Sequence, residues 1–278
     1  MLPEIVSPAN PRLKRAVKLR ESRARRRERR FLIDGAREIL RALLSGVVIE
    51  EVYRDSAASR AANESLEPLT ARLEQERVAV WPVAPPLFRK IAFGDRNESL
   101  IALAAEPDRS WRRFEERLPE RPLLAVLEGI EKPGNIGAVF RSADAAGVDG
   151  VLLAGCGDDF FHPNTIRASL GTVFSVPSVS ADAERIHGWL TGREIGIISA
   201  ICQESRPYTE YDYTGATAIV LGSEADGLTE RWRGEPARGA VVPMLGVADS
   251  LNISNAAAVF FYEARRQRDS INRAVPGE

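Results

Sequence analysis

Three stretches of this chain share one local plan: a short apolar run, a turn rich in Gly, Asn, Ser and Glu, and then the opening of a helix. They are residues 127–147 (LEGIEKPGNIGAVFRSADAAG), 219–228 (IVLGSEADGL) and 241–254 (VVPMLGVADSLNIS). Apolar runs this short suit the buried strands of an open α/β sheet. Polar turns at the carboxyl ends of such strands are where that architecture holds small ligands. Around the third stretch, residues 240–244 read as a buried strand and 245–250 as a glycine-bearing loop. Leu251-Asn252-Ile253-Ser254 then opens a long helix whose three consecutive alanines, 256–258, let another backbone come close. This segment is expected to close the floor of a cofactor pocket that the other two complete.

Taken in order, the chain alternates strand and helix twice over, which predicts an α/β layer fold in two parts. Residues 8–30 read as one strongly basic helix after an Asn-Pro turn. Strands follow at 31–33, 47–53, 77–83 and 100–104, with helices at 36–45, 56–76 and 87–92. A charged, proline-flanked stretch, PDRSWRRFEERLPER, reads as a linker. The second part repeats the alternation: strands at 123–127, 151–154, 194–201, 218–221 and 240–244, and helices at 135–147, 163–173 and 181–191 before the long C-terminal one. The expected domains are therefore 1–106, a linker at 107–121, and 122–278.

At 278 residues the chain has room for two domains. No apolar run approaches the roughly 20 residues needed to span a bilayer, and the N-terminus lacks the apolar region of a signal peptide. Cys156 and Cys202 show no CxxC spacing and fit a reducing cytoplasm. His162 and His187 are too few for most histidine metal sites, so no metal is expected. The net charge of -1 conceals eleven Lys/Arg against three Glu in residues 1–30. Arg23, Arg25, Arg26 and Arg27 within that run read either as a solvated surface or as a phosphate-binding arm, because clustered arginine neutralises a polyanion.

The first turn lacks the dinucleotide fingerprint G-x-G-x-x-G, and no Walker A lysine motif occurs anywhere. Gly134 and Gly137 could serve only a tight bend. Arg141 adds more. It lies six positions after Asn135 on a helix otherwise apolar (Ile136, Ala138, Val139, Phe140, Ala143). An arginine there faces water or an anion, and six positions are nearly two turns, so both residues could look toward the same end and face.

Together these segments resemble the three signature motifs of the SpoU (TrmH) family of RNA ribose 2′-O-methyltransferases, within the SPOUT class. Asn135-Ile136-Gly137 with Arg141 and Gly147 matches the first, Leu221-Gly222-Ser223-Glu224 with Gly227 the second, and Val242-Pro243-Met244 with Ser250-Leu251-Asn252-Ile253-Ser254 the third. Arg167-Ala168-Ser169-Leu170-Gly171 and Pro177 resemble the family's middle segment, and the first 105 residues its ribosomal-protein-like RNA-binding domain. With that resemblance, the polyanion met by Arg23, Arg25, Arg26 and Arg27 would be RNA. The resemblance implies a C-terminal domain with a mostly parallel sheet and a deep trefoil knot, pairing into a homodimer. It implies S-adenosylmethionine held by Gly222, Val242 and Leu251, with Met244 and Asn252 adjacent. It implies catalysis centred on Arg141, with Asn135, Glu224, Ser254 and Asn252 orienting it or the ribose. Structural roles for the same residues are helix caps for Asn135, Asn252 and Ser254, and a loop anchor for Glu224. Arginine stays protonated to a pKa above about 12, so Arg141 is expected to act as a cation rather than a base.

The implied activity is methylation of a ribose 2′-hydroxyl in structured RNA, with 23S ribosomal RNA the first expectation and transfer RNA the second. A non-catalytic RNA-binding or ribosome-assembly protein of the same fold is the alternative from another class. A nicotinamide-dependent enzyme is a third, weakened by the missing fingerprint.

Overall fold

The computed structural model describes residues 2–58, 67–94, 99–156, 159–202, 206–224 and 226–274, with side chains to 271. They form two compact units. The first is Met1–Asp108 with Asp159–Ser175, and the second is Arg109–Asp158 with Val176–Glu278.

The first unit runs α1 (Pro11–Lys18), α2 (Ser22–Glu28), β1 (Arg30–Asp34), α3 (Ala36–Leu44), β2 (Ile49–Asp55), α4 (Glu67–Gln75), β3 (Ala79–Val83), α5 (Pro85–Ile91) and β4 (Leu100–Ala105). Its sheet has the order β1-β4-β2-β3. Strand β4 is antiparallel to both neighbours, and β2 is parallel to β3. The amino half of the expected helix over 56–76 falls partly on residues 59–66, outside the described residues.

The single basic helix expected over 8–30 is instead two short ones. Between them Leu19 is buried, and Arg20 turns back to grip the Asp34 carboxylate at 2.8 and 2.7 Å. Burying an apolar side chain and pairing an ion at the bend outweigh the two or three hydrogen bonds a continuous helix would keep.

The second unit runs α6 (Trp111–Glu115), β5 (Leu123–Glu128), α7 (Pro133–Ala146), β6 (Gly150–Ala154), β7 (Ser178–Ala181), α9 (Ala183–Gly192), β8 (Gly196–Ala200), β9 (Arg206–Pro207), β10 (Thr217–Leu221), β11 (Ala237–Val241) and α10 (Ile253–Ala274), while α8 (Pro163–Ala168) belongs to the first unit. The sheet order is β7-β6-β5-β10-β8-β11-β9. All its described pairings are parallel. Every residue of β5, β6 and β10 is buried, as expected for parallel strands covered on both faces. The chain is thus an α/β protein with a mostly parallel sheet. Among the described residues, no helix is long and apolar enough to cross a membrane, and no His, Cys, Asp or Glu cluster could hold a metal ion.

Two sequence boundaries shift. The charged stretch read as a linker joins the second unit from Arg109 onward. There Ser110 caps α6, and Phe114 packs so tightly on Gly150 that a Cβ at that glycine would lie 2.6 Å from its ring. Two aromatics in a charged run were the overlooked signal. The strand expected at 240–244 is instead Ala237–Val241; Pro243 has no N–H for a ladder.

Residues 159–175, read as part of the second domain, pack with the first unit. The ring of Phe161 stacks on Phe31 at 4.1 Å and that of Phe174 at 5.9 Å. Arg41 donates to the Leu170 carbonyl at 2.7 Å.

Candidate active site

Strands β5 and β10 lie side by side and end level, Leu127 opposite Leu221. Strand β11 lies two places from β10 across β8. The three motif turns therefore leave the same edge of the sheet.

The first turn begins at Gly129, whose φ of +65° favours glycine. The Ile130 amide donates to Cys156 Sγ at 3.1 Å, and the thiol donates to the Leu127 carbonyl at 2.9 Å. Burial pushes that thiol up to about 11, so it is an inert packing group. Pro133 occupies the first position of α7, where its missing N–H costs nothing. Asn135 falls within the first turn of that helix, and its N-cap is Lys132 rather than Asn135.

The second turn is sharper. A Cβ on Gly222 would lie 2.4 Å from the Gly227 carbonyl group, so only glycine fits. The Asp226 amide donates to Ser223 Oγ at 2.9 Å, and the Gly227 amide to the Ser223 carbonyl at 3.0 Å. Beyond the turn, buried Glu128 accepts from the Thr229 amide, the Thr229 hydroxyl and the Trp232 indole, each at 2.8 Å. These bonds anchor the loop to the end of β5. Gly222→Ala should strain this turn by about 1–3 kcal/mol. It should lower Tm by several degrees and weaken binding in the adjoining cavity; a melting curve and a ligand titration matching the unaltered protein would refute the packing argument.

In the third turn, Asn252 Oδ1 accepts from the Ser254 amide at 3.0 Å and the Ser254 hydroxyl at 2.7 Å. The capping role expected for Asn252 is thus realised, and the same side chain does a second job.

The carboxylate of Glu224 joins all three turns. Its Oε1 accepts from Asn135 Nδ2 at 2.8 Å and from Asn252 Nδ2 at 2.6 Å; its Oε2 accepts from Lys132 Nζ at 2.7 Å. The Lys132 hydrogen bond, with help from Asn135, holds the Glu224 carboxyl below the usual carboxylate range, and the same bond raises the Lys132 ammonium. Glu224 is therefore ionised at neutral pH. Its three bonds hold above the ordinary carboxylate pKa and are lost as pH falls through the lowered one.

Beside this hub opens a cavity of about 390 Å³, within the roughly 300–1,000 Å³ of small-molecule sites. Gly222, Val242, Met244 and Leu251 line it, together with Leu221 and Phe260. Asn252 is not in its lining and meets it only through Glu224. The described lining carries two carboxylates, Glu224 and Asp249, and no Lys or Arg.

Arg141 stands apart. It is exposed on α7, lines neither this cavity nor the smaller one on the Lys132 side of Glu224, and its side chain makes no hydrogen bond or ion pair among the described residues. Six residues turn a helix by about 600°, which leaves Asn135 and Arg141 about 120° apart rather than on one face.

In the basic arm, Arg23, Arg26 and Arg27 are exposed, but Arg25 is not. Its guanidinium is 5% exposed and clasps Asp159 at 3.2 and 2.5 Å, with further bonds to the carbonyls of Leu19 and Arg20 at 3.1 and 2.8 Å. A polyanion cannot reach a cation already enclosed and paired, so the expected RNA-binding role of Arg25 is corrected to an internal clamp. Lys132 was missed by the sequence reading. Its signal was a cation at a helix N-cap, where the dipole disfavours positive charge unless an acid such as Glu224 compensates.

The profile of the SpoU rRNA Methylase family matches residues 122–262, and that of the MRM3-like substrate binding domain matches residues 10–102. The 23S rRNA (uridine(2479)-2′-O)-methyltransferase of Streptomyces viridochromogenes is 31% identical over 255 residues, covering 88% of this chain and 86% of that protein. A crystal structure of an RNA 2′-O ribose methyltransferase superposes with a TM-score of 0.83 at 37% identity, covering 96% of this chain and 99% of the other. The SpoU methyltransferase AviRb from Streptomyces viridochromogenes, solved in complex with AdoMet, gives a TM-score of 0.81 at 29% identity, covering 94% and 99%. With three motif turns gathered on Glu224 and both profiles matched in order, the chain belongs to the SpoU rRNA methylase family.

Proposed function

We propose that the protein methylates a ribose 2′-hydroxyl in 23S ribosomal RNA with S-adenosylmethionine as methyl donor. The observation that carries the reading is the Glu224 hub, which ties the three motif turns together at the wall of a cavity of suitable size. S-adenosylmethionine, when bound, supplies a methyl group already activated on a sulfonium sulfur. The residues present fit it. Leu221, Leu251 and Phe260 offer apolar surface for an adenine, and Gly222 admits close backbone approach. Two carboxylates without a Lys or Arg suit a sulfonium and an ammonium. The same lining would repel the pyrophosphate of a nicotinamide dinucleotide, which disfavours that reading.

In this proposal Gly222, Val242, Met244 and Leu251 hold the donor. Asn135 and Asn252 fix Glu224, and Ser254 in turn holds Asn252, so that the cleft wall is rigid before substrate arrives. Arg141 acts as a permanent cation that stabilises the developing alkoxide and grips the neighbouring phosphate, the proton leaving to that phosphate or to water. Its outward position calls for something to cover α7. The homodimer, paired through a trefoil-knotted C-terminal domain, would do so. Helix α10 packs along α7 and exposes Tyr262 and Ile271 by 54% and 48%, apolar surface that a second copy can bury. Arg23, Arg26 and Arg27 would meet RNA phosphates, within an N-terminal substrate-binding domain of about 1–106. The protein would work in the cytoplasm.

The test is methyl transfer from labelled S-adenosylmethionine to 23S rRNA and to transfer RNA, with ribose methylation mapped in cellular RNA with and without the protein. Label at one 23S ribose, absent without the protein, is expected. Label confined to transfer RNA would overturn the substrate. Cofactor titration without saturable binding would favour the non-catalytic RNA binder.

A further inference from the structure

Two hollows in the second unit share a wall. The larger is the cavity of about 390 Å³; the smaller, of about 140 Å³, is lined by Gly129, Ile130, Lys132, Asn135 and Asp226 among others, and Ser223 and Glu224 line both. Group transfer needs donor and acceptor in adjoining spaces, because reacting atoms must approach to roughly 3–3.5 Å. Resting on the methyl-transfer reading above, we propose that the smaller hollow receives the acceptor ribose and that Lys132 binds a phosphate flanking that sugar.

The chemistry of the lining separates the two parts of the ligand. Glu224, Asp226 and the Asn135 carboxamide oxygen accept hydrogen bonds, which suits sugar hydroxyls and excludes a phosphate from the interior. A phosphate would have to lie at the rim. Lys132 is there, with its side chain 74% exposed, and is the one Lys or Arg among the described lining residues. An ammonium carries three N–H donors, of which the bond to Glu224 uses one. Lys132 can therefore keep its grip on the hub and take a phosphate oxygen at the same time. The site is thereby selective for a sugar within a polynucleotide over a free nucleoside.

The test compares Lys132→Met and Lys132→Arg with the unaltered protein on 23S rRNA, measuring kcat, KM, the salt dependence of KM and the Kd for S-adenosylmethionine. Lys132→Met should raise the RNA KM about tenfold and reduce the slope of log affinity against log salt by about 0.7–0.9, the loss of one phosphate contact. Any loosening of Glu224, which lines both hollows, is read separately in the S-adenosylmethionine Kd, and Lys132→Arg should restore the slope. An unchanged salt slope in Lys132→Met overturns the inference whether or not kcat falls, since a lysine that only serves Glu224 would not alter counterion release. Unaltered protein that binds the cofactor but methylates no RNA would end the methyl-transfer reading instead, so the two failures are distinguishable.

Discussion

Replacing Arg141 by alanine should leave the fold and S-adenosylmethionine affinity intact while methyl transfer falls about 10²–10³-fold, the cost of losing one charged donor aimed at a developing oxyanion. The first half follows from its surroundings. Arg141 is exposed and lies outside the cavity lining. Exposed substitutions of this kind change stability by no more than about 0.5 kcal/mol. The second half follows from chemistry. The helix around it is otherwise apolar, and a guanidinium supplies fixed positive charge at any working pH. Arg141→Lys should recover only part of the rate, because a lysine offers a point charge without the planar fork. Calorimetric titration with the cofactor and single-turnover methylation measure the two halves separately. Near-normal turnover in Arg141→Ala would remove Arg141 from the site.

Glu224→Gln should lower kcat by about 10²-fold, the scale on which a misplacement of about 1 Å disrupts an aligned reaction. Each carboxylate oxygen already accepts: Oε1 from Asn135 and Asn252, Oε2 from Lys132. A carboxamide turns one of these oxygens into a donor, so at least one bond becomes a repulsion whichever way the group is flipped. The effect differs from that of Arg141→Ala in kind. Glu224 also lines the cavity, so cofactor affinity should weaken together with turnover, and the acid limb of the unaltered enzyme's pH profile should disappear in the variant. Protonating Glu224 in the unaltered enzyme makes nearly the same change, which places that limb below the ordinary carboxylate range. A variant with intact turnover and an unshifted acid limb would show the hub to be dispensable.

The motif turns were legible because polar side chains placed just after buried apolar strands have few explanations besides a site. The turns stand out on those grounds before a family is considered, whereas the site roles of Glu224 and Asn252 within them come with the resemblance. What periodicity could not show was pairing across distance. Lys132 and Glu224 are 92 residues apart, and nothing local to either announces the other. The arginine run failed for a related reason. Its composition says that positive charge is concentrated there, but which arginine turns inward depends on an acid at position 159. The helix break at Leu19 likewise depends on Asp34 and on the strand core beneath it. Arg141 shows the limit of spacing arguments within one helix, where an offset of six was counted in turns but not in angle.

The strap from Asp159 to Ser175 bears on how such a protein can be taken apart. The family profile at 122–262 is continuous in sequence, yet the strap's aromatic rings stack on Phe31 near the amino end of the chain. A fragment cut after the charged stretch would carry Phe161 and Phe174 stripped of their cover, and the amino-terminal fragment would keep Arg25 without its acid. Cutting the chain at that point would therefore leave both pieces with uncovered apolar or unpaired charged surface.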